Sequence, residues 1–348
     1  SNPRNQQWDA GVEYQLFSDL VFKVTYVGAR SDRLQVSMPI NLVNPANIPA
    51  APTSLADQTA RIGEFTTAFQ NEVGGAFGPT NTLIDPRFDN VTQVQSIGTS
   101  SYNSLQVEAI RRFKNGLTFN VNYTWAHSLD DISDALGVLI NDSSAPLDAS
   151  KPISFNRANS QFDVRQRVVL SYNYDIPFGN NFHGWKKYLL GGWSQSGIFS
   201  SQSGLPTTVF AAPIAGISDL LLNGTNNGNN TVNTAVDGNA TQLHPVPFFG
   251  SYTVPTTLPV SEPLLEHNGT SGRNHLRLDG QTDFDAAFSK KIRFTEHKFL
   301  QIRWESFNVL NHPNFAGYKN VFGGSQFNTY TSTATNARQM QLSARFIF

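Results

Sequence analysis

Alternation of apolar and polar residues constrains this chain more than any other feature. Over residues 117–125, Leu117, Phe119, Val121, Tyr123 and Trp125 fall on one face, and Thr118, Asn120, Asn122 and Thr124 fall on the other. A period of two is that of a strand whose faces meet different media. The last eleven residues, RQMQLSARFIF, repeat it: Met340, Leu342, Ala344, Phe346 and Phe348 oppose Gln339, Gln341, Ser343 and Arg345, and Ile347 alone is out of phase. In a soluble sandwich the apolar face is core and the polar face is water. In a transmembrane barrel the apolar face is lipid and the polar face lines a wet lumen. The polar faces here are mostly neutral where a sandwich strand would carry more Lys and Glu. An aromatic at the chain end, where soluble chains fray, points the same way.

Composition supports the barrel. Charged residues make up 15% of the 348, against the roughly 25% of soluble domains, while aromatics reach 12%. Mean hydropathy is −0.30, and no apolar run approaches the ~18 residues of a spanning helix. A net charge of −1 gives no electrostatic case for nucleic acid. Cysteine is absent, so thiolate metal sites and disulfides are unavailable. The opening SNPRNQQWDAGVEY shows no basic-then-apolar leader and starts almost inside a strand, which reads as a mature form or a fragment.

Along the chain the alternation predicts nine strands, near residues 7–16, 20–26, 102–113, 117–127, 165–176, 193–208, 282–294, 298–308 and 338–348. The intervening stretches 30–101, 128–163, 211–281 and 310–337 read as long irregular loops. Short and long connections alternate, with one moderate link through residues 185–190. Outer-membrane barrels have this one-sidedness, with short periplasmic turns and long extracellular loops. Trp8, Tyr26, Tyr102, Tyr123 and Trp125 lie near the loop ends of their strands, and Phe178, Trp193, Phe346 and Phe348 near the turn ends, as two interfacial girdles would. The expected fold is an all-β antiparallel transmembrane β-barrel domain over residues 1–348, located in the bacterial outer membrane and surrounded by its lipid.

Three segments carry a resemblance. SYNSLQVEAIRRFKNGLTFNVNYTWAHSLDD (101–131), GGWSQSGIFSSQSGLP (191–206) and ESFNVLNHPNF (305–315) resemble the C-terminal barrel of TonB-dependent outer-membrane transporters. Within that family they are most similar to the Oar-like group, whose full-length members carry a carboxypeptidase-regulatory-like domain. QQWDAGVEYQL and LVFKVTYVGARSDRL resemble the preceding hairpin, so the likeness runs from about residue 6 to 348. It implies a barrel of about 22 strands, of which this chain would supply the C-terminal nine. A plug and a TonB-contacting segment would lie upstream. It further implies receptor-type uptake of a scarce solute (a small molecule, glycan or peptide), contact with the TonB system through that N-terminal part, and an aromatic-ended signal, Phe346 and Phe348, for the barrel assembly machinery. A passive porin-like channel and a surface adhesion or secretion-related barrel with binding loops are the alternatives.

No catalytic constellation is legible, and an enzymatic role and a cofactor are not expected. The seven histidines are scattered, without H-E-x-x-H spacing, and no G-x-S-x-G elbow occurs. Asp130, Asp131 and Asp134 would suit a calcium ion at a loop mouth; such clusters are more often solvated loop. The Asn/Gly tract 223–231 would suit a sugar, though such tracts usually just bend the chain. By phase, Asn120, Asn122, Arg165, Arg167, Arg303, Glu305 and Arg345 face the lumen. There they would shape a solute path or contact a plug, or simply pair to fill a wet interior.

Overall fold

The alternating runs form nine long strands of one antiparallel sheet, each paired with the next, and the two-residue strand Ala158–Asn159 adds to it beside Leu129 and Asp130. In the computed structural model the long strands are β1 (Arg4–Phe17), β2 (Leu20–Pro39), β3 (Thr92–Lys114), β4 (Leu117–Asp130), β5 (Gln166–Asp175), β6 (Trp193–Gln202), β7 (Gln281–Arg293), β8 (Phe299–Phe307) and β9 (Gln339–Ile347). The structure describes residues 2–73, 83–88, 91–134, 146–179, 181–217, 219–222, 234–240, 259–295 and 297–348. Nothing among them pairs with the outer edge of β1 or of β9, so the sheet is open.

The register carries each strand's apolar face onto its neighbour's. Val12, Val24, Val107, Tyr123 and Val168 stand side by side across β1 to β5. Val121, Leu170, Phe199 and Phe284 continue the same face across β4 to β7. A one-residue slip would invert a strand's faces, so this agreement over nine strands fixes the pairing. Val12 is 71% exposed and Leu342 73% exposed. Among the described residues no protein core lies behind the apolar face, and in water such a surface would be an aggregation site.

The protein's core sits elsewhere. The four long connections leave the same end of the sheet, and buried apolar side chains from three of them, 40–91, 203–280 and 308–338, pack with one another. Phe65, Val209, Leu220, Leu222, Leu265 and Leu276 are at most 2% exposed and belong to one cluster. Helix α1 (Leu55–Val73) contributes Ile62, Phe65, Ala68 and Phe69, spaced to share one face. Ser54 caps the start of α1, its hydroxyl accepting the Asp57 N–H at 3.2 Å, and the Asp57 carboxylate accepts the Thr53 N–H at 3.0 Å.

These loops correct the sequence reading. Much of the stretch 30–101 is regular: β2 runs on to Pro39, β3 begins at Thr92, and α1 lies between them. A bulge breaks the period between Ser31 and Gln35, with Arg33 at φ 60°, and beyond it the strands stand among folded loops with no two-sided pattern to read. The link 185–190 is a short helix, α2 (Trp185–Leu190). Strand β6 ends at Gln202, and Pro206–Thr207 pairs instead with Leu276–Arg277 in the loop layer. Tyr102 stands opposite Ala29 and Ser128, which puts it on the polar face, outside the aromatic girdle.

Candidate functional site

The face opposite the apolar one is mainly polar, with Val21, Ile110, Val169 and Ile198 interspersed. Glu13, Lys23, Glu108 and Asn122 are successive cross-strand neighbours on it. The Asn122 amide donates to Asn120 Oδ1 at 2.7 Å, and the Asn120 amide to Glu108 Oε1 at 3.2 Å. On β8 the Arg303 guanidinium grips Glu305 Oε1 through Nε and Nη2, both at 2.8 Å. Gln341 of β9 donates to the other oxygen, Oε2, at 2.5 Å. An open cleft of about 620 Å³ runs over this face, lined among others by Asn120, Ser171, Ser196, Asp285, Arg303 and Glu305. Six successive strands, β3 to β8, share one cleft, so the sheet curves around its polar side. Arg345, opposite Gln301, and Arg167, opposite Thr124, stand on the same side by register.

Arg165 does not line this wall. It precedes β5 and its Nε donates to Asp163 at 2.9 Å, within a belt of charges that joins the strand ends to the loops. Asp163 also accepts the Ser128 N–H at 2.6 Å and is gripped by Arg277, whose Nη1 reaches the Asp163 and Gly204 carbonyls at 2.8 and 3.0 Å. Arg273 is buried against Asp130: its guanidinium pairs with the carboxylate and donates to the Asp130 and Asn156 carbonyls at 2.7 and 3.0 Å. Asn159 and Asn274 exchange side-chain-to-backbone bonds, both at 2.9 Å. A buried charge persists only when paired and hydrogen-bonded, and these groups are.

That belt replaces the calcium reading. Asp130 is taken by Arg273. Asp131 accepts from the Thr99 N–H at 2.7 Å and hydroxyl at 2.8 Å, with Arg157 3.6 Å away. Among the described residues no three acidic or histidine side chains are grouped to hold a metal. The tract 223–231 lies outside the described residues. Arg273, Arg277 and Asp163 were not singled out from sequence. Arg273 is 143 residues from Asp130, and nothing local marks the pair.

At the turn end, Phe346 stacks on Phe348 with ring centres 6.1 Å apart and lies 6.1 Å from Phe294. Both aromatics sit beside the open edge of β9.

An antiparallel sheet with a lipid-type face, a polar inner wall and all its large loops at one end is a sector of an outer-membrane β-barrel. The chain belongs to the outer membrane beta-barrel domain family, whose sequence model matches residues 1–341, and it resides in the bacterial outer membrane. No curated protein matches it. Among solved structures it is similar to the outer membrane transporter YddB from Escherichia coli, with 10% identity and a TM-score of 0.47 over 99% of this chain and 33% of that one. It is also similar to the Pseudomonas putida toluene transporter TodX, with 10% identity and a TM-score of 0.25 over 87% of this chain and 54% of that one. The chain thus spans about a third of the length of the first and about half that of the second.

Proposed function

We propose that this chain is a sector of the wall of a TonB-dependent, Oar-like outer-membrane receptor that imports a scarce solute, with no catalytic role. The observation that carries the transport reading is the pairing of a polar inner wall with two open edges. Unpaired strand edges are not tolerated in lipid, so a membrane-inserted form adds strands until the sheet closes around a lumen wider than nine strands would enclose. The TonB assignment is supported by the resemblance of segments 101–131, 191–206 and 305–315. On this reading the solute is a small molecule, glycan or peptide met by the loop layer and the wall of Asn120, Asn122, Arg303 and Glu305. Phe346 and Phe348 engage the barrel assembly machinery, and TonB acts through a segment outside these residues.

The test is uptake. The complete protein should transport only in cells with functional TonB, and residues 1–348 alone should transport nothing in a TonB-dependent way. A stable pore formed by the 348 residues in planar bilayers, indifferent to TonB, would overturn this in favour of a passive porin-like channel.

A further inference from the structure

The connection from β5 to β6 differs from the tight turns beside it, because it folds into α2 and displays a row of large apolar side chains. Trp185, Tyr188 and Leu189 recur at i, i+3 and i+4, so they share one helix face, and all three are more than half exposed. Phe178 and Phe182, which precede α2 in the same connection, are also exposed and meet edge to face with ring centres 5.7 Å apart. The backbone holds this shape by close approach. A Cβ on Gly179, at φ +80°, would lie 2.5 Å from the Leu190 carbonyl carbon, and one on Gly191 would lie 2.8 Å from the Gly179 carbonyl oxygen.

The strand register shows which side of the sheet the helix is fastened to. Lys290 stands opposite Trp193 and Ile302, in the apolar face, yet its ammonium does not point into lipid. It donates to the Leu189 carbonyl at 3.1 Å and to the Gly191 carbonyl, and lies 5.0 Å from the centre of the Trp193 ring. The Trp193 indole N–H donates to the Leu189 carbonyl at 3.2 Å. A cation and an indole of the lipid-facing surface therefore hold the C-terminal carbonyls of α2. Leu189 of the aromatic row is thereby fastened to that surface, while Tyr188 and Lys187 stand over the strand ends beside Asp175 and Ser194. Lys186 and Lys187 flank the row with positive charge.

We propose that α2 is an interfacial anchor, lying in the headgroup layer of the leaflet on the turn side with Trp185, Tyr188 and Leu189 among the acyl chains and Lys186 and Lys187 against anionic phospholipid. A short helix with an aromatic–aliphatic face flanked by lysines is suited to that depth, and lysines near a membrane surface favour anionic headgroups. The anchor would fix the depth of the β5–β6 hairpin. The inference rests on outer-membrane placement alone and not on the transport reading.

Residues 1–348 contain no cysteine, so single labels can be placed in the complete membrane-inserted protein after any cysteine elsewhere in it is replaced. Single nitroxide labels are placed by Tyr188→Cys, Leu189→Cys and Lys187→Cys, with Asn115→Cys in the neighbouring tight turn as reference, and only heat-modifiable, inserted protein is measured. The labels at Tyr188 and Leu189 should show an oxygen-to-nickel-chelate accessibility ratio at least about threefold above those at Lys187 and Asn115. The Leu189 label should lie deeper in phosphatidylglycerol than in phosphatidylcholine vesicles, and Lys186→Gln with Lys187→Gln should abolish that difference. Nickel access at Tyr188 and Leu189 equal to that at Asn115 would overturn the anchor. So would protection from both reagents, which would mean that protein covers the face. Equal depth in the two lipids would overturn the anionic preference.

Discussion

Arg273 is the side chain whose loss should be felt most. Its charge is buried against Asp130, and removing one partner of such a pair leaves the other uncompensated, at a cost of about 3–5 kcal/mol. Arg273→Met should therefore lower the urea midpoint for protease resistance of the loop layer. Arg303→Met, which breaks a half-exposed pair with Glu305, should cost no more than about 1 kcal/mol. Equal effects would show that the belt does not hold the loops. Glu266 should make the same layer pH-sensitive. Burial, then the nearby Asp219 and Asp148 carboxylates, push its pKa up to about 9, and its Oε1 is buried without a hydrogen-bond partner. The folded state thus holds its proton more tightly than the unfolded chain. The stability this contributes is complete below the ordinary glutamate pKa, declines as the unfolded chain ionises, and is gone above about pH 9. Proteolysis of the loops should accelerate from pH 5 to pH 9, and Glu266→Gln should flatten the profile; an unchanged slope in that variant would contradict the assignment.

At the scale of elements, the strands were legible and the loop layer was not. A strand facing lipid on one side and water on the other announces itself residue by residue. The register puts Asn120, Asn122, Arg303 and Glu305 on one face of the sheet, and whether that face meets a lumen is what labelling on β4 tests. The loop layer has no such medium to read. Phe65, Leu220 and Leu276 meet in one core from distant segments, and only α1 carries a period, which a Pro- and Thr-rich surrounding obscures. Two glycines test that core. Gly63 lies in α1 with no atom within 4 Å of an added Cβ, so Gly63→Ala should stabilise the layer by about 0.5–1 kcal/mol. At Gly204 a Cβ would lie 1.7 Å from the Leu278 carbonyl oxygen. Gly204→Ala must push two backbone segments apart and should lower the protease-resistance midpoint. The opposite order of the two variants would mean that the loops do not pack as described.

For the molecule as a whole, the central claim is that one sheet separates lipid from a wet lumen. The sequence made the two faces readable, since nine strands agree in phase, but it could not show that the loops fold into a capping layer with its own core. The most direct measurement is chemical labelling in intact outer membranes of single-cysteine variants on β4, where neighbouring residues point to opposite sides. Thiols of Phe119→Cys and Val121→Cys should react with lipid-soluble maleimides and resist membrane-impermeant ones. Those of Asn120→Cys and Asn122→Cys should react with aqueous reagent. Alternation of reactivity along residues 119–122 is the result the two-faced wall predicts, and uniform aqueous reactivity at all four positions would contradict it.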